Sequence, residues 1–206
     1  MAKIVTTAAE RAEFDAVLRE KYGLVCGVDE AGRGPLAGDV YAAAVILDPE
    51  NIPEGINDSK KISEKKRELL AEEIKERALC WAIATASVAE IEELNILNAA
   101  MLAMKRAVEA LEERPALCLI DGNRKPEGIG AETLTVVGGD ARSLCIGAAS
   151  ILAKTARDES MRAAALEYPD YGFEKHKGYG TKQHIEALKK YGICEIHRPS
   201  FLKKIL

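Results

Sequence analysis

Short apolar segments alternate along the chain with segments in which apolar residues recur at helical spacing. The first kind predicts β-strands, at residues 24–30, 39–47, 80–88, 116–121 and 133–137. The second kind predicts helices, at residues 8–23, 63–77, 89–113, 143–168 and 182–191, with Ser63 as an N-cap. No internal repeat or low-complexity linker interrupts this order. The pattern therefore predicts one α/β or α+β domain that ends in a helical segment.

Composition places the chain among ordinary globular proteins. Of its 206 residues, 48% are hydrophobic and 30% are charged. No apolar run approaches the ~18 residues of a membrane span, and the first residues lack the basic-then-apolar layout of a secretory signal. The five cysteines include no C-x-x-C pair, which argues against a zinc or redox site. We therefore expect a cytoplasmic protein with no membrane partner.

The distribution of charge says more about partners than the total charge does. The formal net charge of -4 argues mildly against a nucleic-acid partner. Residues 171–206, however, contain eight Lys or Arg residues against three Glu residues. We therefore expect the C-terminal segment to face a polyanion.

Three of the predicted strands lead into acidic residues. Asp29 and Glu30 end the first strand, Asp121 ends the fourth, and Asp140 follows two glycines after the fifth. Carboxylates gathered in one place repel one another unless a cation lies among them. Mg²⁺ and Mn²⁺ prefer oxygen ligands, and two such ions about 4 Å apart can clamp a phosphodiester. The acids therefore predict a metal-dependent nuclease.

The segment after the first strand is almost without side chains. Successive residues of a strand point to opposite faces, so we expect Glu30 to lie at a bend or to offer its main-chain carbonyl to a metal. Gly32 and Gly34 ease such a bend and leave the backbone open to a substrate. If that substrate is RNA, peptide groups can pair with a 2'-hydroxyl both as donors and as acceptors. A simple tight turn is the alternative, and a phosphate-binding loop is disfavoured because no G-K-[ST] follows.

Six motifs occur in order along the chain: GVDEAGRGPLAG, NDSKK, IDGN, GGD, GAASILAKTARD and HKGYGT. Together they resemble the ribonuclease HII family, the type 2 ribonucleases H, over about residues 24–200. The resemblance implies an α/β RNase H-like fold, in which helices flank a central mixed β-sheet and a helical segment follows. We expect a single domain, with a catalytic core at about residues 22–168 and a substrate-binding segment at about 169–206.

The resemblance also implies an activity. Members of the family are metal-dependent endonucleases that cleave the RNA strand of RNA/DNA hybrids. They also cut DNA duplexes on the 5' side of a single embedded ribonucleotide, leaving 3'-hydroxyl and 5'-phosphate ends. We accordingly expect two Mn²⁺ or Mg²⁺ ions as cofactors, RNA/DNA hybrids and ribonucleotide-containing DNA duplexes as partners, and a monomeric protein.

The family's four acidic positions, which are catalytic and bind the metals, fall by motif on Asp29, Glu30, Asp121 and Asp140. Asp158 competes for the fourth position. We favour Asp140, because it is predicted to begin a helix directly after a strand and two glycines. Asp158 lies well inside a predicted helix, where a salt bridge or a solvated position is expected.

Substrate-binding residues also follow from the resemblance. Gly32, Arg33 and Gly34 correspond to the segment that senses the 2'-hydroxyl at the RNA–DNA junction. Tyr179 corresponds to a tyrosine that stacks on the deoxyribose just after the ribonucleotide, a contact suited to an aromatic ring. A tyrosine in the core or in a turn is the alternative for Tyr179.

Further polar residues are predicted to hold the nucleic-acid backbone, because hydroxyl and amine groups bind phosphates without reading sequence. These residues are Asn57, Ser59, Lys60, Ser143, Ser150, Lys154, His176 and Lys177. For each of them a loop turn or a helix surface is the alternative. Lys65, Lys66 and Arg67 are predicted to form an ordinary solvated helix face, because glutamates surround them.

Three alternative families fit the motifs less well. The sister ribonuclease HIII family usually carries an additional N-terminal substrate-binding domain and a glutamate at the fourth acidic position. Another nuclease or transposase of the same superfamily would share the acids but not the G-R-G segment. A non-catalytic nucleic-acid-binding module would not be expected to keep all four acids.

Overall fold

A five-stranded mixed β-sheet lies at the centre of the structure, a computed structural model that describes residues 6–57, 59, 62–203 and 205. Its strands are β1 Val25–Ala31, β2 Val40–Ile46, β3 Cys80–Ala86, β4 Leu117–Asp121 and β5 Glu132–Val136. Their order is β3-β2-β1-β4-β5. β1 is antiparallel to β2 and parallel to β4, β2 is antiparallel to β3, and β4 is parallel to β5. The predicted mixed sheet is confirmed.

Helices cover the sheet. They are α1 Ala8–Tyr22, α2 Glu64–Arg77, α3 Val88–Leu94, α4 Ile96–Glu109, α5 Leu144–Glu167, α6 Phe173–His176, α7 Lys182–Tyr191 and α8 Pro199–Leu202. Short 3-10 turns span Gly139–Ala141 and Pro169–Tyr171. Helices α6 to α8 form the predicted C-terminal helical segment. Within the described residues, no helix is long and apolar enough to cross a membrane.

Serine and threonine side chains begin several of the helices. The side chains of Thr7, Ser63, Ser87 and Ser143 each accept a hydrogen bond from a backbone N–H of the first turn. These bonds satisfy donors that have no partner inside a helix. The predicted N-cap at Ser63 is confirmed. Helix α1 ends, as predicted, at Gly23, whose φ of 89° suits glycine.

The helix predicted over residues 89–113 is instead two helices, α3 and α4. Asn95 separates them with a φ of 67°, a left-handed value that Asn tolerates better than most residues. Its side chain accepts hydrogen bonds from the N–H groups of Leu97 and Asn98 and so begins α4. A local cap therefore divides a segment whose apolar spacing is helical on both sides.

The two faces of the sheet pack against different helices. Along β2, Ala42 belongs to the cluster formed with α4, and Ala43 belongs to the cluster formed with α2 and α5. Helix α5 lies directly on β1, because a Cβ placed on Gly27 would lie 2.0 Å from the carbonyl carbon of Cys145. The sheet is therefore a middle layer with a buried face on each side.

A separate hydrophobic cluster holds the C-terminal segment against the rest of the molecule. Tyr171, Phe173 and Leu188 pack there with Met161 of α5 and with Leu36, which follows β1. The cluster brings the C-terminal segment next to residues 32–38, the glycine-rich loop that follows β1. The division into a core at 22–168 and a substrate-binding segment at 169–206 stays a prediction.

Candidate active site

A cavity of about 290 Å³ opens where β1 and β4 end, beside α5 and the C-terminal segment. Its lining contains most of the residues predicted from the motifs, namely Asp29, Glu30, Gly32, Arg33, Gly34, Ser59, Asp121, Ser150, Lys154 and Tyr179. Ala31 and Arg157 complete the lining. The structure therefore brings together residues that lie up to 150 positions apart in the sequence.

Asp29 and Asp121 are neighbours because β1 and β4 are parallel. Val28 pairs with Ile120, so the two acids follow at the carboxyl ends of adjacent strands, a usual place for active-site residues in sheets of this kind. Asp29 is buried. Burial raises the pKa of Asp29 well above its ordinary value, and the negative charges of Glu30 and Asp121 raise it further.

Glu30 reaches the same cavity without a break in the strand. The pairing of β1 with β2 continues through Glu30 and Ala42 to Ala31 and Tyr41, so the predicted bend at Glu30 is wrong and the chain turns only after Ala31. The backbone N–H of Glu30 donates to Oδ1 of Asp29 at 2.7 Å. Its side chain forms an ion pair with Arg33 at 3.2 Å. Both acids line the cavity because it lies at the end of the strand.

Asp140 lies next to this group but does not line the cavity. Oδ1 of Asp121 accepts a 2.6 Å hydrogen bond from the N–H of Gly139, which places the turn carrying Asp140 beside Asp121. Gly138 makes this possible with a left-handed φ of 64°. Asp140 occupies the 3-10 turn and not, as predicted, the start of a helix, since α5 begins at Leu144. Its role as the fourth metal ligand stays a prediction.

Asp158 makes the salt bridge that was expected of it. It is buried, and it pairs with Arg67 at 2.7 Å and with Lys154 one helical turn away. The prediction that Arg67 belongs to a solvated helix face is wrong, because its side chain is buried and also donates to the carbonyl of Ser59. The interaction joins α2 to α5 across 91 positions of sequence, which local charge patterning could not reveal.

Hydroxyl and amine groups also line the cavity. The Ser59 and Ser150 hydroxyls lie 3.0 Å apart, and a hydrogen bond from Ser150 partly offsets the raised pKa of Asp29. Burial lowers the pKa of Lys154, and the interaction with Asp158 opposes that effect. Ser59, Ser150 and Lys154 are therefore placed where the prediction of phosphate contacts requires them.

Other predicted phosphate contacts lie elsewhere. Ser143 is fully buried as the N-cap of α5. His176 is buried, with Nε2 bonded to the Tyr171 carbonyl at 2.8 Å, and Nζ of Lys177 pairs with Glu64 at 3.3 Å. These three residues support the fold around the cavity and do not line it. Asn57 lies in a groove beside α1, and Lys60 falls outside the described residues.

The glycine-rich loop passes close to a buried arginine. Gly32 has a φ of 106°, and a Cβ placed there would lie 2.3 Å from Nε of Arg157. Gly34 faces the Tyr179 ring, 3.6 Å from the position that a Cβ would occupy. Glycine is therefore required at Gly32 both by conformation and by close approach. Sequence reasoning missed Arg157, which is buried although it lies in a charged helical segment.

Tyr179 is half-exposed at the rim of the cavity, with 44% of its surface accessible. The guanidinium carbon of Arg157 lies 5.8 Å and Nζ of Lys154 lies 6.0 Å from the centre of its ring. The Tyr179 carbonyl accepts a 3.0 Å hydrogen bond from Nδ1 of His184. An exposed ring on a fixed backbone is suited to stacking on a sugar or base.

The carboxylates fit a divalent cation by their chemistry. Among the described residues, no group of three or more His, Cys, Asp or Glu side chains is arranged to hold a metal ion by itself. Mg²⁺ usually binds one or two carboxylates and completes its coordination with waters and phosphate oxygens. Asp29, Glu30 and Asp121 nevertheless share one cavity and offer only oxygen atoms, the ligands that Mg²⁺ and Mn²⁺ prefer. A divalent cation would offset the burial and repulsion that raise the pKa of Asp29.

Known proteins share this fold and sequence. The chain is 58% identical over 185 residues to the ribonuclease HII of Idiomarina loihiensis, which covers 89% of this chain and 98% of that protein. The ribonuclease H2 of Pyrococcus horikoshii is similar in structure, with a TM-score of 0.72 and 26% identity over 88% of this chain and 96% of that one. Bst-RNase HIII in complex with Mn²⁺ has a TM-score of 0.63 and 17% identity over 86% of this chain and 66% of that one.

The family comparison covers nearly the whole chain. The family model described as ribonuclease HII matches residues 26–204, which include the glycine-rich loop, Asp121 and most of β1 and of the C-terminal segment. The RNase H-like fold predicted from the motifs is confirmed by the similar structures. The chain belongs to the ribonuclease HII family, and it is accordingly a ribonuclease H hydrolase.

Proposed function

We propose that this ribonuclease H cleaves the RNA strand of RNA/DNA hybrids and cuts DNA duplexes on the 5' side of single embedded ribonucleotides. The observation that carries the proposal is the cavity itself, where three carboxylates lie beside a loop of bare backbone. The carboxylates suit phosphodiester hydrolysis, and the loop suits recognition of a ribose. The products would carry 3'-hydroxyl and 5'-phosphate ends.

Asp29, Glu30, Asp121 and Asp140 would hold two Mg²⁺ or Mn²⁺ ions. Bound there, the ions would supply an activated water and a positive charge for the leaving oxygen. The Mn²⁺ complex of Bst-RNase HIII, which has a similar fold, supports a divalent metal in this role. The four carboxylates would orient the ions. The hydrogen bond from the N–H of Gly139 holds the carboxylate of Asp121 in place.

The remaining residues of the cavity position the nucleic acid. Ser150 and Lys154 present a hydroxyl and an amine that can hold phosphate oxygens without reading sequence. Arg33 and Gly34 line the cavity, where their backbone groups can pair with a 2'-hydroxyl. Tyr179 would stack on the next deoxyribose and so set the position of the RNA–DNA junction.

A DNA duplex with one ribonucleotide tests the proposal. With Mg²⁺ or Mn²⁺ we expect a single cut on the 5' side of the ribonucleotide, and a chelator should prevent it. Asp121→Asn should lower turnover more than about a hundredfold while circular dichroism stays unchanged. Degradation of a long hybrid without any cut at the single ribonucleotide would contradict the junction-specific part.

A further inference from the structure

Arg198 lies beneath the glycine-rich loop with its guanidinium fully buried. Its Nε donates to the Gly38 carbonyl at 2.8 Å. Nη1 donates to the carbonyls of Pro35 at 2.8 Å and Arg33 at 3.3 Å. Nη2 donates to the carbonyls of Gly32 at 2.8 Å and Gly38 at 2.5 Å. One side chain from the C-terminal segment therefore binds four carbonyl groups of the loop.

These bonds decide which polar groups of the loop remain available to a ligand. The carbonyls of Gly32, Arg33 and Pro35 point inward to Arg198. The N–H groups of Arg33 and Gly34 and the carbonyl of Gly34 bond to none of the described residues. They are donors and an acceptor at the cavity wall, the combination that a ribose 2'-hydroxyl can satisfy.

In the part of the chain that the structure describes, Arg198 bonds to backbone carbonyls and not to carboxylates. Among the described residues it forms no ion pair, and its hydrogen bonds go to neutral carbonyls. Burial, followed by the nearby charge of Arg157, lowers the pKa of Arg198 to about 10. The negative charges of Asp39 and Glu92 favour the charged form of Arg198. The direct contribution of the side chain is therefore its set of hydrogen bonds to the loop, and not an ion pair.

The backbone around Arg198 joins the loop to the segment that carries Tyr179. The N–H of Arg198 donates to the Leu36 carbonyl, and the N–H of Leu36 donates to the Gly178 carbonyl. Ala37 pairs with His197 in an isolated bridge. The loop therefore lies between His197 and Arg198 on one side and Gly178, which precedes Tyr179, on the other.

We propose that Arg198 is a positioning residue that fixes the peptide groups of residues 32–35 and thereby sets the preference for a ribose over a 2'-modified sugar. The inference rests on the proposed function of the loop. Arg198 does not touch the substrate but acts through the direction of the loop's N–H and C=O groups. An error of about 1 Å in such groups can cost a hundredfold in rate.

The test compares two duplex substrates that differ only in the 2' substituent of one sugar. One duplex carries a single ribonucleotide, and the other carries a 2'-fluoro nucleotide at the same place, which cannot donate a hydrogen bond. We expect the wild type to prefer the ribonucleotide in kcat/KM. Arg198→Lys keeps the charge but cannot direct five hydrogen bonds, so the preference should fall by about tenfold or more, mainly through the ribonucleotide substrate.

Leu202→Ala is the matched control, because Leu202 is buried in the hydrophobic cluster of the C-terminal segment and its apolar side chain cannot donate a hydrogen bond to the loop carbonyls. It should slow both substrates alike at a comparable loss of thermal stability. If Arg198→Lys does not fold, Arg198→Gln removes the buried charge and should show the same fall in preference. An unchanged preference in the Arg198 variants, or an equal change in Leu202→Ala, would overturn the inference. A wild type that does not cut the ribonucleotide duplex would instead overturn the proposed function.

Discussion

At the scale of single residues, the partners of a carboxylate distinguish an acid in a structural ion pair from a candidate metal ligand. Asp158 is buried between two cations, Arg67 and Lys154, so its charge is already compensated. Burial raises the pKa of Asp29, and the negative charges of Glu30 and Asp121 raise it further. In the first arrangement, loss of the acid would leave buried cations without a counter-charge, whereas the second arrangement favours a bound cation.

The buried ion pairs of Asp158 allow it to be tested against Asp140, the other candidate for the fourth acidic position. Asp158→Asn leaves Arg67 buried without its counter-charge, so we expect the free energy of unfolding to fall by about 3 kcal/mol. Asp140 is only half-buried, so Asp140→Asn should lower stability less, and it should abolish turnover. Urea unfolding and the cleavage assay measure the two effects. Full stability with lost activity in Asp158→Asn would transfer the catalytic role to Asp158.

The site residues that the sequence predicts are those carried by contiguous motifs. Asp29 and Asp121 lie at the ends of strands whose apolar runs are visible in the sequence, and the glycines directly follow the first of these strands. Arg67, Arg157 and Arg198 look like ordinary surface charges, because the groups that bury them lie 91 to 166 positions away. A buried charge is recognisable only once the chain has folded around it.

At the scale of elements, the contact of α5 with β1 positions the cavity. Helix α5 carries Ser150, Lys154 and Arg157 to the cavity, and β1 carries Asp29 to the same place. Their close approach depends on Gly27, which faces the backbone of Cys145. The strands and long helices were predictable from periodicity. The close contact between β1 and α5 was not, because it depends on the absence of a side chain at a single residue, Gly27.

Gly27→Ala tests this contact. The added Cβ would lie 2.0 Å from the carbonyl carbon of Cys145. This atom belongs to the backbone of α5 and cannot move aside as the end of a flexible side chain could. We expect the free energy of unfolding to fall by about 3 kcal/mol or more, with loss of activity as α5 shifts. Gly130→Ala is the matched control, since a Cβ there meets nothing within 4 Å and should change stability by less than about 0.5 kcal/mol. Equal effects of the two substitutions would show that close packing at Gly27 is unimportant.

At the scale of the whole molecule, two hydrogen-bonded histidines connect the end of the C-terminal segment to Tyr179 at the rim of the cavity. Nε2 of His184 and Nε2 of His197 lie 3.0 Å apart, and Nδ1 of His184 lies 3.0 Å from the Tyr179 carbonyl. Because a carbonyl only accepts, His184 donates from Nδ1 and accepts at Nε2 from His197. Nδ1 of His197 then accepts the N–H of Cys194 at 2.9 Å. All of these bonds are satisfied when both rings are neutral.

Protonation of His197 should therefore weaken this connection. Burial, followed by the charge of His184, lowers the pKa of His197 from 6.5 to about 4. Between these values the unfolded chain binds more protons than the folded one, so stability is complete above pH 6.5 and falls as the pH approaches 4, by about 3 kcal/mol at most. His197→Asn keeps an acceptor for Cys194 but cannot be protonated. In urea unfolding it should lose less stability than the wild type over this pH range, and an identical loss would show that His197 does not titrate with folding.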